Sequence, residues 1–139
     1  RDEIVTRGAV VIGLNLVFFV LAVIMGIVIN YNIDLFVGTL CLYTESIWGI
    51  NIMKQVIVLL FSGATIPLAF FPQKMQKIAY CMPFQAIYNT PLRILLMQTV
   101  DLCEAGRMLL LQMFWCIMLT VLTSLFWRVS IRRITVNGG

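Results

Sequence analysis

The one charged side chain between positions 8 and 44 is Asp34. A carboxylate inside so apolar a run could bind a cation or carry a proton, because burying it without a partner costs several kcal/mol. Asn30, Tyr31 and Asn32 sit beside it, and the same residues also read as a polar exit at a membrane surface. Asn15 and Gln55 are further polar side chains set in apolar surroundings. They either line a polar path or serve as hydrogen-bonding glue between helices, worth about 0.6 kcal/mol each. Glu45 lies in the short link "ESIW", where it either meets a partner on the inner side or is simply solvated.

Other chemistry is excluded by what is missing. The sequence has no histidine, so imidazole acid–base work is ruled out, and the four cysteines at 41, 81, 103 and 116 form no CxxC pair of the kind that builds zinc sites. Neither a GxxxxGK[ST] loop nor a dinucleotide fingerprint occurs, so the chain has no phosphate cradle of those types. No carboxylates sit at catalytic spacing. Cofactors are therefore expected to be none on this chain, and the basic residues are too scattered to suggest nucleic acid.

The elements that must position these side chains follow from composition. The chain of 139 residues is 61% hydrophobic and 12% charged, against about 25% charged in soluble domains. Positions 8–33, 55–73 and 108–127 carry no charge, and each run is close to or above the ~20 residues that cross a ~30 Å hydrocarbon layer as helix. The class is an all-α integral membrane protein. The first residue is Arg rather than Met, and the chain is expected to be part of a longer polypeptide.

Residues 8–44 as one helix would run roughly 55 Å, so one spanning helix with a bend or exit at 30–34 is expected. A second span covers 47–66, with Trp48 as an interfacial anchor and Lys54 snorkelling back to the headgroups. Residues 101–107 read as a polar loop and 108–127 as the last span. Arg128, Arg132 and Arg133 lie in the tail 128–139, which places the C-terminus on the cytoplasmic side.

All four prolines, at 67, 72, 83 and 91, fall between Phe61 and Pro91. Residues 73–82 read as a short amphipathic helix, and 84–99 as a second piece interrupted at Pro91. Irregular backbone at membrane depth is tolerated only where protein or a watery cavity shelters it, so 67–100 is expected to dip into the bilayer and return. Gly63, Pro67, Pro72, Pro83, Phe84 and Pro91 are then either a gate above a path or the punctuation of a loop.

The order Ser62-Gly63, Pro67-Leu68, Phe71-Pro72, Pro83-Phe84, Pro91, a last apolar helix and a basic tail ending in Gly138-Gly139 resembles the C-terminal half of exporter-type (type-two) ABC transporter permeases. The resemblance covers most of 35–139. It implies about three transmembrane helices and a proline-broken re-entrant hairpin, as in the C-terminal half of a six-helix permease. It further implies a multi-pass subunit of the cell (plasma or inner) membrane that moves a lipophilic or amphiphilic cargo by alternating access. The partners it implies are ATP-binding cassette subunits, which would carry ATP and Mg, and a second permease subunit. The residues leave two rivals open: a transporter driven by an ion gradient through Asp34, and a structural subunit that moves nothing.

Overall fold

The computed structural model describes residues 2–44, 46–97 and 101–137. Five helices run in chain order: α1 (Asp2–Cys41), α2 (Ile47–Phe61), α3 (Gln73–Cys81), α4 (Gln85–Leu95) and α5 (Leu102–Asn137), with a 3-10 turn at Leu68–Phe70 before α3. Among the described residues there is no strand.

Helix α1 is the axis. It has 40 residues, about 60 Å at 1.5 Å per residue. On its face, Ile29, Ile33 and Val37 recur every fourth residue and pack with Ala86 of α4 to form the buried apolar core. Each partner helix has a readable register against this axis. After the turn at Leu42 and Tyr43, α2 runs antiparallel to α1, and Lys54 meets Asp34. Helix α4 also runs antiparallel, with Ala86 and Ile87 beside Gly26 and Met97 beside Asn15. Helix α5 runs parallel, pairing Gln112 with Ala22, Thr120 with Asn32 and Phe126 with Phe36.

This register makes α2 and α4 two successive lengths of one broken line laid along α1. Helix α2 covers the part of α1 after residue 33 and α4 the part before residue 29. The expected span 47–66 is thus shortened: α2 has 15 residues, about 22 Å, short of the ~30 Å needed to cross. Ser62 caps it by donating its amide to Val58 O at 2.9 Å. Gly63 follows at φ +79°, a left-handed conformation that other L-residues reach only at a cost.

Two other expectations are corrected, at 101–107 and at Pro91, and two further segments take a definite form. Through 30–34, α1 runs on as unbroken helix. The polar residues there satisfy themselves one turn away: Asn32 Nδ2 donates to Val28 O at 2.8 Å and Asn30 Nδ2 to Asp34 Oδ2 at 3.2 Å. The stretch 101–107 is not a loop, because Asp101 Oδ1 accepts from the amides of Cys103 and Glu104 at 3.1 and 3.3 Å and caps α5. Pro91 does not interrupt its helix but sits buried inside α4. The basic tail from Arg128 onward is helical and continues α5 to Asn137.

Two helices, over Gly8–Cys41 and Leu102–Arg133, are long and apolar enough to cross a bilayer. Between apolar helices in lipid, close packing and hydrogen bonds supply what water-driven burial cannot. Ala22 and Gly26, one turn apart, provide the close packing. A Cβ on Gly26 would stand 3.1 Å from Ile87 O, the carbonyl whose helical donor Pro91 lacks.

Gly26→Val is therefore expected to push α4 off α1 and cost about 1–3 kcal/mol. Gly13→Val, with nothing within 4 Å of its Cβ, should be close to neutral. Melting of the two purified variants in detergent separates them, and equal melting points would refute the tight α1–α4 seam.

Candidate functional site

The sequence-marked residues divide into those that hold helices together and those that face an open groove. Asn15 belongs to the first group: buried on α1, it donates from Nδ2 to Met97 O at 2.8 Å. It ties down the chain just past the end of α4. Gln112, which no sequence argument singled out, does more. Its fully buried Nε2 donates to Ala22 O on α1 at 3.1 Å and to Ala86 O on α4 at 2.7 Å, so one amide of α5 fastens three helices. Farther along the same interface, Asn32 Nδ2 donates to Thr120 Oγ1 at 3.2 Å and Thr123 Oγ1 to Asn32 O at 3.4 Å. Trp115 Nε1 donates to Cys81 O at 3.0 Å, anchoring the end of α3.

The groove lies on the other half of α1. Helices α2 and α5 flank the stretch from Ile33 to Thr44 and diverge from each other, leaving a cavity of about 820 Å³. Its walls are hydrocarbon from Phe36, Val37 and Leu40, from Ile50, Met53 and Ile57, and from Leu119, Phe126 and Val129. Pro83 and Phe84 close one end, with Phe84 against the ring of Phe61 at 6.4 Å between centroids. Lys54 and Arg133 are the charged residues in the lining.

Asp34 sits at the edge of this site. Its carboxylate forms an ion pair with Lys54 and also accepts from Asn30. Lys54, whose expected role was to snorkel to the headgroups, thus has a bonding partner within the bundle. The partners are 20 residues apart in sequence, on facing helices, and the link between α1 and α2 turns that separation into contact.

The proline set does not converge on one point. Gly63 forms the turn after α2, near Leu68 and Asn89. Pro67 precedes the 3-10 turn and Pro72 precedes α3, both exposed, while Pro91 is buried within α4. Gln55 is exposed on α2 and outside the groove lining. Glu45, Gly138 and Gly139 lie outside the described residues.

A second, smaller cleft of about 400 Å³ opens between α3, α4 and α5, where Arg93, Arg107 and Tyr80 meet the buried Gln85 and Thr90. Arg93 is ion-paired with Glu104 at 2.9 Å and lies 5.6 Å from the centre of the Tyr80 ring. Thr90 Oγ1 donates to Gln85 Oε1 at 3.0 Å.

A family model described as ABC-2 family transporter protein matches residues 4–138, almost the whole of this arrangement. The chain belongs to the ABC-2 transporter family. It is accordingly a membrane-embedded permease of an ABC transporter, a transport subunit whose family works with ATP-binding cassette subunits. No curated protein and no solved structure matches the chain.

The Asp34–Lys54 pair gives a direct check on the α1–α2 register. Asp34→Asn and Lys54→Gln should each destabilise the bundle. The charge swap of Asp34→Lys with Lys54→Asp should recover most of the loss, with a coupling on the order of 1 kcal/mol. A double-mutant cycle from unfolding in mixed micelles measures it, and zero coupling would show that the two side chains do not interact.

Proposed function

We propose that this permease is the pore-forming subunit of an ATP-driven exporter, lining part of the path for a lipophilic or amphiphilic cargo. The observation that carries the proposal is the broken α2–α4 line. The helix stops partway along α1, the apolar chain makes an excursion from Ser62 to Phe84 through a 3-10 turn and α3, and the line resumes at Gln85. A short helix followed by an excursion is a poor lipid-facing strut. It is better suited to an exit that two arrangements of the same segment open and close.

In this reading the segment 67–100 is a re-entrant gate on the outer side, the Arg-bearing end of α5 is cytoplasmic, and a second permease subunit completes the path. ATP and Mg act on the partner cassette subunits. Motion there reaches the gate through α5, because Gln112 ties α5 to the first turn of α4. The groove walled by aromatic and aliphatic side chains supports an apolar or amphiphilic cargo, since such pockets bind mainly through buried hydrocarbon. The engagement of Asp34 with Lys54 and Asn30 speaks against a cation carrier at that position.

The test is transport in vesicles that hold the permease together with its cassette partner. Export should require ATP and persist in Asp34→Asn. Gly63→Ala, forced to φ +79° at a cost of about 1–2 kcal/mol, should slow export while leaving the yield of assembled complex unchanged. Export that continues without ATP and collapses in Asp34→Asn would replace this reading with an ion-driven one. An unchanged rate per complex in Gly63→Ala would remove the gate.

A further inference from the structure

We propose that the groove between α2 and α5 is a binding site for one anionic phospholipid of the surrounding bilayer. Its phosphate rests on Arg133 and one of its acyl chains lies along the floor formed by α1. The inference holds whatever the cargo and energy source, because it rests on the groove's shape and charge alone.

The shape comes first. The cavity of about 820 Å³ falls within the ~300–1,000 Å³ of ordinary ligand sites, and it is a slot rather than a closed chamber. Met53 and Val129 on its two rims remain exposed, so a chain already dissolved in the bilayer can slide in from the side. The floor between the rims is continuous hydrocarbon, with the rings of Phe36 and Phe126 5.0 Å apart. An acyl chain lying there would meet no unpaired polar group from the backbone of α1, which is helical throughout.

Charge then selects the headgroup. Of the two cations in the lining, Lys54 is neutralised by Asp34. Arg133 makes no ion pair among the described residues and stands toward the end of the slot where Tyr43 adds a hydroxyl. A guanidinium with no acidic partner among the described residues, set at the end of an apolar slot, fits a molecule with one anionic group and hydrocarbon tails. Its planar fork also matches a phosphate. Arg133 belongs to the basic last turns of α5, with Arg128 and Arg132 nearby in sequence, where a spanning helix meets the headgroup layer. Basic pockets between transmembrane helices at that depth are the kind that take lipid headgroups.

The experiment introduces a reporter tryptophan at the floor of the slot. Purified permease carrying Phe36→Trp is reconstituted with rising fractions of brominated-chain phosphatidylglycerol or brominated-chain phosphatidylcholine. Quenching in the otherwise identical protein lacking the reporter is subtracted. Half-quenching is expected at a several-fold lower fraction of the anionic lipid. Ile12→Trp, on a strongly exposed face of α1, should show no headgroup preference. Arg133→Gln should abolish the preference at Phe36→Trp, while Arg133→Lys and Arg128→Gln should retain it. If Phe36→Trp disturbs the bundle, Phe126→Trp reports on the same wall. Equal curves for the two lipids, or a preference that survives Arg133→Gln, overturn the proposal. Quenching by neither lipid overturns it as well, because the slot would then be filled by protein such as a second copy of the permease.

Discussion

The bundle depends on a constraint that lipid imposes more strictly than water. Helices that expose hydrocarbon on every side have no solvent-driven reason to prefer one neighbour, so register must come from contacts that lipid cannot imitate. Here the decisive one is the amide of Gln112, whose two protons go to carbonyls on two different helices. Among the described residues its own Oε1 accepts no hydrogen bond, so the amide acts here by donation. The carbonyl groups it reaches belong to Ala22 and Ala86, both fully buried small residues, and their lack of bulk lets an amide side chain get between the helices. Asn15, Asn32 and Thr123 repeat the same device at other levels of α1. These polar groups form a ladder that sets the parallel alignment of α5 on α1 and the antiparallel alignment of α4.

Among the described residues that ladder does not extend to α2. The pairing of α2 with α1 rests on the Asp34–Lys54 bridge and on apolar contacts near Ile33, Val37 and Ile50. The half of α1 that carries α4 is therefore stitched by hydrogen bonds to main-chain carbonyl groups, and the half that carries α2 is held more loosely and borders the groove. Motion is cheaper where fewer directional bonds have to break, so the half that carries α2 can shift at the lower cost. The joint between the two halves falls at Gly63, Pro67 and Pro72, where backbone that cannot continue a helix separates the loose α2 from the fastened α4.

The sequence was most legible where a residue type acts on its own backbone. Gly63 marks the end of α2, Pro67 and Pro72 lead into the 3-10 turn and α3, and α3 falls within one residue of its expected range; Pro91 departs from the pattern by lying inside α4. Legibility failed where polar side chains bond locally inside a helix. Asn30, Asn32 and Asp34 resemble an exit to water, yet each finds a partner one turn away or on the facing helix. The same ambiguity hid the start of α5. Asp101 and Glu104, spaced as in a capping box, carry the polarity of a loop while ordering the first turn of a helix. Gln112 was open to view as an amide within an uncharged run, but its importance depends on which carbonyl groups it meets.

By itself the sequence determined the class of solvent this chain lives in, the number of apolar runs and the region where regular helix gives way, because transfer energy and backbone stereochemistry are properties of residues and their immediate neighbours. It also carried the family, through the order of glycine, proline and phenylalanine pairs. Only the tertiary structure decided that α2 and α4 are consecutive pieces of one line along α1, that Asp34 belongs to Lys54, and that an apolar slot ending near Arg133 lies between α2 and α5. The reason is geometric: such pairings depend on the rotation and depth of one helix against another, and these emerge only when distant residues such as Ala22, Ala86 and Gln112 share one point in space.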